Sequence, residues 1–91
     1  MHDFDVNARG TLNVLEAVRA QSNPPALLFT STNKVYGGMD DVCLRLRGLR
    51  YVPDDYLRVC GFNEKRPLDF HSPYGCSKGT ADQLVLDYAR S

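Results

Sequence analysis

The sequence predicts the α/β class. Its 91 residues are expected to form one part of a domain that is built on a parallel sheet. Two features of the pattern predict this class. A helical periodicity over residues 3–21 is followed, after a proline turn, by a short apolar run. Helix, turn and strand in this order make half of a βαβ unit. Because a parallel sheet needs several strands joined by crossover helices, we expect a chain with one clear strand to be a piece of a larger domain.

The first predicted element is a helix over residues 3–21. Its apolar positions recur at spacings of three and four, at Phe4, Ala8, Leu12, Leu15 and Val18. Asp3 and Asp5 would lie at the positive end of the helix dipole. The helix is expected to end before Pro24, because a residue that precedes proline disfavours the helical conformation.

The second predicted element is a strand over residues 26–31, which read ALLFTS. An apolar run of this length suits a strand that is buried on both faces of a parallel sheet. A polar loop follows over residues 32–38. Ligands of open α/β sheets bind at the carboxyl ends of the strands, so Thr32 is expected beside a substrate.

The segment 38–71 has no clear period. Val42, Leu44 and Leu46 alternate with polar neighbours, which allows one short strand. A structureless loop of this length is uncommon in a compact domain unless it is functional or disordered. Because it is too rich in apolar and aromatic residues for a disordered linker, we expect it to form a wall or a lid of an active site.

A second helix is predicted from Ser72 to about Arg90, with Ser72 as the N-cap and Pro73 at the first helical position. Tyr74 and Lys78 are four residues apart and therefore lie on one face. An ammonium near a phenol favours the phenolate and lowers a pKa that is otherwise about 10. Such a phenol can exchange a proton with a substrate hydroxyl, so the pair is predicted to be a general acid/base.

Composition excludes several other classes. Acidic and basic residues are equal in number, 11 and 11, which leaves no electrostatic footprint for nucleic acid or for an anionic membrane. No apolar run approaches a membrane span and no secretory signal is visible. Cys43, Cys60 and Cys76 have no metal-ligand spacing, so we expect free thiols, no metal site and a cytoplasmic protein.

Three motifs in order make a more specific pattern. Residues 6–17 read VNARGTLNVLEA, residues 29–37 read FTSTNKVYG and residues 72–78 read SPYGCSK. Together they resemble the extended short-chain dehydrogenases/reductases of the NAD-dependent nucleotide-sugar epimerase/dehydratase family. The resemblance implies that residues 1–91 are the central part of an NAD(P)-binding Rossmann-like domain with a doubly wound parallel sheet. No G-x-x-G-x-x-G fingerprint occurs in the chain, so we expect the glycine-rich N-terminal part and the C-terminal substrate part to be absent, and the piece alone to be inactive.

The resemblance also implies roles for individual residues. Tyr74 would be the catalytic acid/base, Lys78 would hold the nicotinamide ribose, and Thr32 would hydrogen-bond the reacting sugar hydroxyl. The remaining implied site residues are Thr30 and Ser31 beside the nicotinamide, Asn7 as a support of the cofactor site, and Asn33 beside the substrate. The implied cofactor is NAD, the implied partner is a nucleotide sugar, and the intact parent is expected to be a homo-oligomer.

The resemblance narrows the reaction further. The family's dehydratases carry Asp-Glu after the threonine, whereas this chain has Asn33 and Lys34, which cannot serve as that acid and base. Residues 68–79 are similar to the CDP-sugar 2-epimerase branch. That likeness implies conversion of CDP-paratose to CDP-tyvelose, with inversion at C2 through a transient keto sugar. The alternatives are a UDP-sugar 4-epimerase or related sugar oxidoreductase, or a catalytically dead remnant that acts as a binding piece.

Overall fold

A computed structural model describes residues 1–54 and 61–91. The molecule is elongated, with principal extents of 56 × 27 × 22 Å and a radius of gyration of 17.2 Å. A compact domain of this length would have a radius of gyration of about 12 Å. The described core is accordingly small: its buried apolar residues are Ala8, Leu15, Val52 and Ala81.

The first helix forms as predicted, but its first part is π-helical. A π-helical stretch, Phe4–Arg9, continues directly into an α-helix, α1, over Gly10–Arg19. The amide of Gly10 donates to the carbonyl of Asp5, five residues back, which is the π-helical hydrogen bond. Side-chain periodicity cannot distinguish this bond from the i−4 bond of an α-helix, so the sequence did not predict it.

The predicted strand over residues 26–31 does not form. Residues 24–32 have no regular secondary structure, and Leu28 is 92% exposed. A strand persists through hydrogen bonds to a neighbouring strand, and no strand within residues 1–54 and 61–91 pairs with this segment. The parallel sheet expected from the sequence is therefore not confirmed by the described part of the chain.

A short 3₁₀ turn, Asn33–Tyr36, follows this segment. The amide of Asp69 donates to the carbonyl of Val35 at 2.8 Å, so the turn is attached to the residues just before the second helix. Gly37 ends the turn at a φ of +63°, a backbone conformation that favours glycine.

The long segment contains a β-hairpin. Strand β1, Leu44–Arg47, pairs antiparallel with β2, Arg50–Pro53. Gly48 opens the two-residue connection at a φ of +63°, as glycine often does in tight hairpins. The alternation that allowed a strand in this region is confirmed. Its partner β2 was not predicted, because it is short and ends in proline, which weakens a strand signal.

The second helix, α2, spans Ser72–Arg90 as predicted, but Ser72 is its first residue and His71, instead of Ser72, takes the N-cap position. Ser72 Oγ accepts a hydrogen bond from the Gly75 amide at 3.2 Å, which is the expected capping bond. Helix α2 packs along the first helix, where Asn7 meets Ser77 at one end and Glu16 meets Tyr88 at the other. Because both residue numbers increase in the same direction, the two helices run parallel.

No helix in residues 1–54 and 61–91 has the length and apolarity to cross a membrane. Cys43 and Cys76 are free thiols, as expected, and both are exposed. Cys60 lies outside the described residues.

Candidate active site

Tyr74 lies in the first turn of α2 and presents an accessible hydroxyl. Its side chain is 42% exposed, and its hydroxyl makes no hydrogen bond with any residue in the ranges 1–54 and 61–91. Lys78 follows one turn later on the same face of the helix. The phenol is therefore open to a ligand, and a cation lies one turn away.

Lys78 is held by the segment that precedes Thr32. Its Nζ donates a hydrogen bond of 2.9 Å to the carbonyl oxygen of Thr30. The same ammonium lies 4.7 Å from the centre of the Phe29 ring, within the range of a cation–π contact. Segment 29–30 is not a strand, but these two contacts fix where it meets α2.

Thr32 occupies the N-cap position of the 3₁₀ turn. Its Oγ1 accepts a hydrogen bond of 3.1 Å from the amide of Lys34. A hydroxyl that accepts in this way still has its own proton to donate. Ser31 and Asn33, the flanking predicted site residues, are exposed.

Asn7 is linked through Ser77 to the turn of α2 that carries Tyr74. Its Nδ2 donates a hydrogen bond of 3.0 Å to Ser77 Oγ, and Ser77 Oγ donates to the carbonyl oxygen of Tyr74 at 2.7 Å. The supporting position predicted for Asn7 is thus next to the turn that carries Tyr74 and Lys78. Within the described residues, no direct hydrogen bond joins the Tyr74 hydroxyl to Lys78 or Thr32.

Two site neighbours were missed by reasoning from the sequence, Phe29 and Ser77. The apolar run around Phe29 predicts only a strand residue and no contact with Lys78. Ser77 lies three residues after Tyr74, a spacing at which a serine hydroxyl can bond back to a helix carbonyl. That spacing was a signal that could have identified Ser77, whereas nothing in the sequence paired it with Asn7.

The residues after the 3₁₀ turn are braced by residues 61–66. Arg66 makes two hydrogen bonds to the carboxylate of Asp41, of 2.5 and 3.2 Å. The Asp41 carboxylate holds the pKa of Arg66 above its ordinary value. The Tyr36 hydroxyl donates to the carbonyl of Asn63 at 3.0 Å. These contacts give the predicted wall a fixed attachment beside the turn that carries Thr32.

A sizeable cavity lies elsewhere in the described part of the chain. It has a volume of about 740 Å³ and lies between α1, the last turns of α2 and the 24–27 segment, with Leu15, Leu27 and Val85 among its lining residues. Tyr74, Lys78 and Thr32 do not line it. Within residues 1–54 and 61–91, no group of histidine, cysteine, aspartate or glutamate side chains could hold a metal ion.

Comparison with known proteins agrees with the three motifs. The model of a family described as "NAD dependent epimerase/dehydratase family" matches residues 2–91. The chain is 50% identical over 88 residues to CDP-paratose 2-epimerase of Salmonella typhi, an alignment covering 97% of this chain and 25% of that protein. It is 29% identical over 90 residues to a Methanocaldococcus jannaschii protein named "Putative UDP-glucose 4-epimerase", covering 99% of this chain and 24% of that protein. The chain thus spans about a quarter of the length of these curated relatives.

Proposed function

The chain belongs to the NAD dependent epimerase/dehydratase family, and from that premise we propose that the protein carrying it is an NAD-dependent nucleotide-sugar epimerase. The reaction we propose is inversion at C2 of CDP-paratose to give CDP-tyvelose. The observation that carries the proposal is the 50% identity to a CDP-paratose 2-epimerase over 97% of the chain. Asn33 and Lys34, which replace the Asp-Glu expected of a dehydratase, support an epimerase over water elimination.

The residues present fit the ribose and nicotinamide end of NAD. The Lys78 ammonium has three N–H donors, and one is used by the Thr30 carbonyl. The other two remain for ribose hydroxyls. When bound, NAD supplies the hydride acceptor that this chemistry requires. Thr30 and Ser31 would lie beside the nicotinamide, with Asn7 supporting the turn beneath it.

Tyr74 is the acid/base in this proposal. Oxidation of the sugar carbinol to a ketone removes a hydride and a proton, and the exposed Tyr74, acting as a phenolate, takes the proton from the C2 hydroxyl and becomes a phenol. The Lys78 ammonium, one turn away, stabilises the negative charge that the phenol carries as a base. Thr32 has a free proton to donate to the sugar oxygen, with Asn33 beside it. Inversion follows when the keto sugar presents its other face before the hydride and proton return.

A second reaction is supported by the other relative. Its name, "Putative UDP-glucose 4-epimerase", assigns inversion at C4 of a UDP sugar to that protein, which is 29% identical to the chain. The Tyr74, Lys78 and Thr32 roles would be the same, because oxidation of any ring hydroxyl needs a base and a hydride acceptor. Only the ring carbon that faces Tyr74 would differ.

We further propose that residues 1–91 are the central part of a Rossmann-like domain and that they are inactive alone. The support is the quarter of the relatives' length that the chain spans, together with the exposed apolar segment 26–31, which in a parallel sheet would lie between two strands. The homo-oligomeric and cytoplasmic state of the parent stays a prediction.

The test uses the full-length protein that carries this segment. It is incubated with CDP-paratose or with UDP-glucose, and proton NMR of the product identifies the inverted ring carbon. We expect inversion at C2 of CDP-paratose. Inversion at C4 of UDP-glucose would favour the second reaction, and no turnover of either would overturn both.

The Tyr74→Phe variant then tests the assignment of the base. It should lose about 10²–10⁴-fold in turnover while still binding NAD. The matched control is Tyr51→Phe, which removes the hydroxyl of an exposed hairpin tyrosine and should leave the rate unchanged. Full activity in Tyr74→Phe would refute the role of Tyr74.

A further inference from the structure

Ser77 is the most completely buried polar side chain among residues 1–54 and 61–91, with 2% of its surface exposed. It lies between Tyr74 and Lys78 in sequence, and its hydroxyl meets the side chain of Asn7 on the first helix. A buried hydroxyl has to be satisfied, because leaving it without a partner costs about 1–3 kcal/mol. Its hydrogen bonds therefore show what this residue does in the fold.

The single hydroxyl of Ser77 serves two partners with opposite polarity. Its proton goes to the carbonyl oxygen of Tyr74 at 2.7 Å. Its oxygen is then an acceptor, which receives the Nδ2–H of Asn7 at 3.0 Å. The chain of donors therefore runs in one direction, from Asn7 through Ser77 to the backbone of Tyr74, and joins residues 70 positions apart.

The carbonyl at the end of this chain has a second role. In an α-helix the carbonyl of residue 74 accepts the amide of residue 78, and α2 is α-helical over Ser72–Arg90. Ser77 thus donates to the same carbonyl oxygen, that of Tyr74, that accepts the backbone amide of Lys78. A change in this bond alters the turn that sets the relative direction of the two side chains.

The other end of the chain lies in the π-helical stretch, Phe4–Arg9. A π-helical turn is rare and is frequently found at functional sites. Here it contains Asn7, whose amide is directed at α2. Helix packing alone would hold the two helices side by side, whereas this hydrogen bond also fixes the turn of α2 that faces Asn7.

We propose that Ser77 is a positioning residue that, with Asn7, sets the orientation of the catalytic turn carrying Tyr74 and Lys78. This inference rests on the proposed function for its kinetic test, because Tyr74 and Lys78 are the residues it would orient. It assigns no contact of Ser77 with the substrate or with the cofactor.

The kinetic test compares Ser77→Ala with Ser77→Cys and Ser77→Thr in the full-length protein. Small misplacements of catalytic groups can cost up to about 10²-fold, so we expect kcat of Ser77→Ala to fall by about 10- to 100-fold with KM changed by less than about threefold. Ser77→Cys keeps the size of the side chain but has a weak donor, and should be as defective as Ser77→Ala. Ser77→Thr keeps the hydroxyl and should recover part of kcat.

The matched control is Thr80→Ala. The Thr80 hydroxyl also donates to a carbonyl of α2, that of Cys76 at 2.9 Å, but it is exposed and has no partner on the first helix. Its loss should leave kcat at the wild-type value. Equal effects of Ser77→Ala and Thr80→Ala, or wild-type kcat in Ser77→Cys, would overturn the proposal.

The Asn7→Ala variant keeps the test decisive if the Ser77 variants fail to fold. It removes only the cross-helix bond and leaves the Ser77–Tyr74 bond in place, so kcat should fall by about three- to tenfold on the same argument. If Asn7 and Ser77 act as one unit, the double variant should be no slower than Ser77→Ala alone. If the losses of kcat in the two single variants multiply in the double variant, or if Asn7→Ala keeps the wild-type kcat, Asn7 and Ser77 do not act as one unit.

A readout that needs no turnover separates this inference from the proposed function. The full-length protein is labelled with ¹³C-tyrosine, and the Tyr74 ring signal is assigned from its absence in Tyr74→Phe. We expect this signal to move in Ser77→Ala and in Asn7→Ala but not in Thr80→Ala. If the Tyr74 signal does not move in these two variants, the positioning role is refuted. If it moves but the wild-type protein turns over neither nucleotide sugar, only the proposed reaction is refuted.

Discussion

The Lys78 ammonium donates a 2.9 Å hydrogen bond to the carbonyl of Thr30, across 48 residues of sequence. Lys78 is thereby directed at the segment that leads to Thr32. The same ammonium faces the ring of Phe29. One side chain of α2 therefore fixes the point where the 26–31 segment passes the turn that carries Tyr74 and Lys78, although within residues 1–54 and 61–91 no strand pairs with that segment.

The first prediction concerns the ring of Phe29. Replacement by leucine keeps an apolar side chain but removes the cation–π contact with Lys78, which at an exposed site is worth about 0.5–1 kcal/mol. We therefore expect kcat/KM of the full-length protein to fall by about two- to fivefold. Phe29→Tyr retains an aromatic face and is the matched control. A leucine variant with wild-type kcat/KM would show that the Thr30 carbonyl alone positions Lys78.

Sequence reasoning succeeded where a pattern is local. The spacing of apolar residues predicted both helices, and Ser72 made its capping bond because its hydroxyl lies next to the amides it can reach. It failed over 26–31, where an apolar run indicates a strand only if a neighbouring strand is available. The i−5 bond at Gly10 was likewise invisible, because π- and α-helical turns bury the same kinds of side chain.

For the site, the Tyr74–Lys78 spacing follows directly from helix geometry, whereas its supports depend on tertiary contacts. The Asn7–Ser77 bond joins residues that no local rule connects. The sequence predicts a substrate role for Thr32. The structure shows that its oxygen caps the 3₁₀ turn and that its proton stays available. The substrate role of Thr32 stays a prediction.

The second prediction concerns Gly37 and separates backbone strain from steric overlap. A Cβ added here would lie 2.3 Å from Asp69 Oδ2 and 2.8 Å from the Asp69 carbonyl oxygen, and φ is +63°. Gly48 has the same φ but an added Cβ would meet nothing within 4 Å. Gly48→Ala should therefore lower the free energy of unfolding only by the cost of a left-handed backbone, about 1–2 kcal/mol. Gly37→Ala should lower it by clearly more, as measured by urea unfolding. Equal losses would mean that the Asp69 segment moves aside freely.

The third prediction concerns a close approach at Gly79. A Cβ added to Gly79 would lie 2.6 Å from two ring atoms of Phe70, whereas at Gly75 it would find only ordinary contacts at 3.7 and 3.8 Å. Alanine normally stabilises a helix interior by about 1 kcal/mol over glycine. Gly75→Ala should be neutral or stabilising, but overpacking should make Gly79→Ala destabilising by about 1–3 kcal/mol.

The Phe70→Leu background tests the cause of that loss. If the Phe70 ring is the obstacle, Gly79→Ala should cost much less free energy of unfolding in Phe70→Leu than in the wild-type protein. An unchanged cost would assign the effect to the helix backbone of α2 instead of the ring.

The fourth prediction concerns the pH dependence of the contact between Glu16 and Tyr88, which joins α1 to α2. Hydrogen bonds from Arg19 and then Tyr88 hold the pKa of Glu16 below its ordinary value, and the bond to Glu16 raises the pKa of Tyr88. A lowered carboxyl pKa contributes stability that is complete above about pH 4.5 and is lost as pH falls through the folded value. A raised phenol pKa contributes stability that is complete below about pH 10 and is lost as pH rises through the folded value.

Urea unfolding of Glu16→Gln and Tyr88→Phe across pH 3 to 7 measures the acid side of this contact. Both variants should have a lower free energy of unfolding than wild type at pH 7. This difference should shrink toward pH 3, because the wild-type Glu16 carboxylate is then protonated and wild type itself loses the stability that the charged contact contributes. Tyr51→Phe removes an exposed hydroxyl that has no partner within residues 1–54 and 61–91, and should show no such trend. A deficit in Glu16→Gln that is the same at pH 3 and pH 7 would mean that the ionised carboxylate does not hold the two helices together, and that packing between α1 and α2 does so alone.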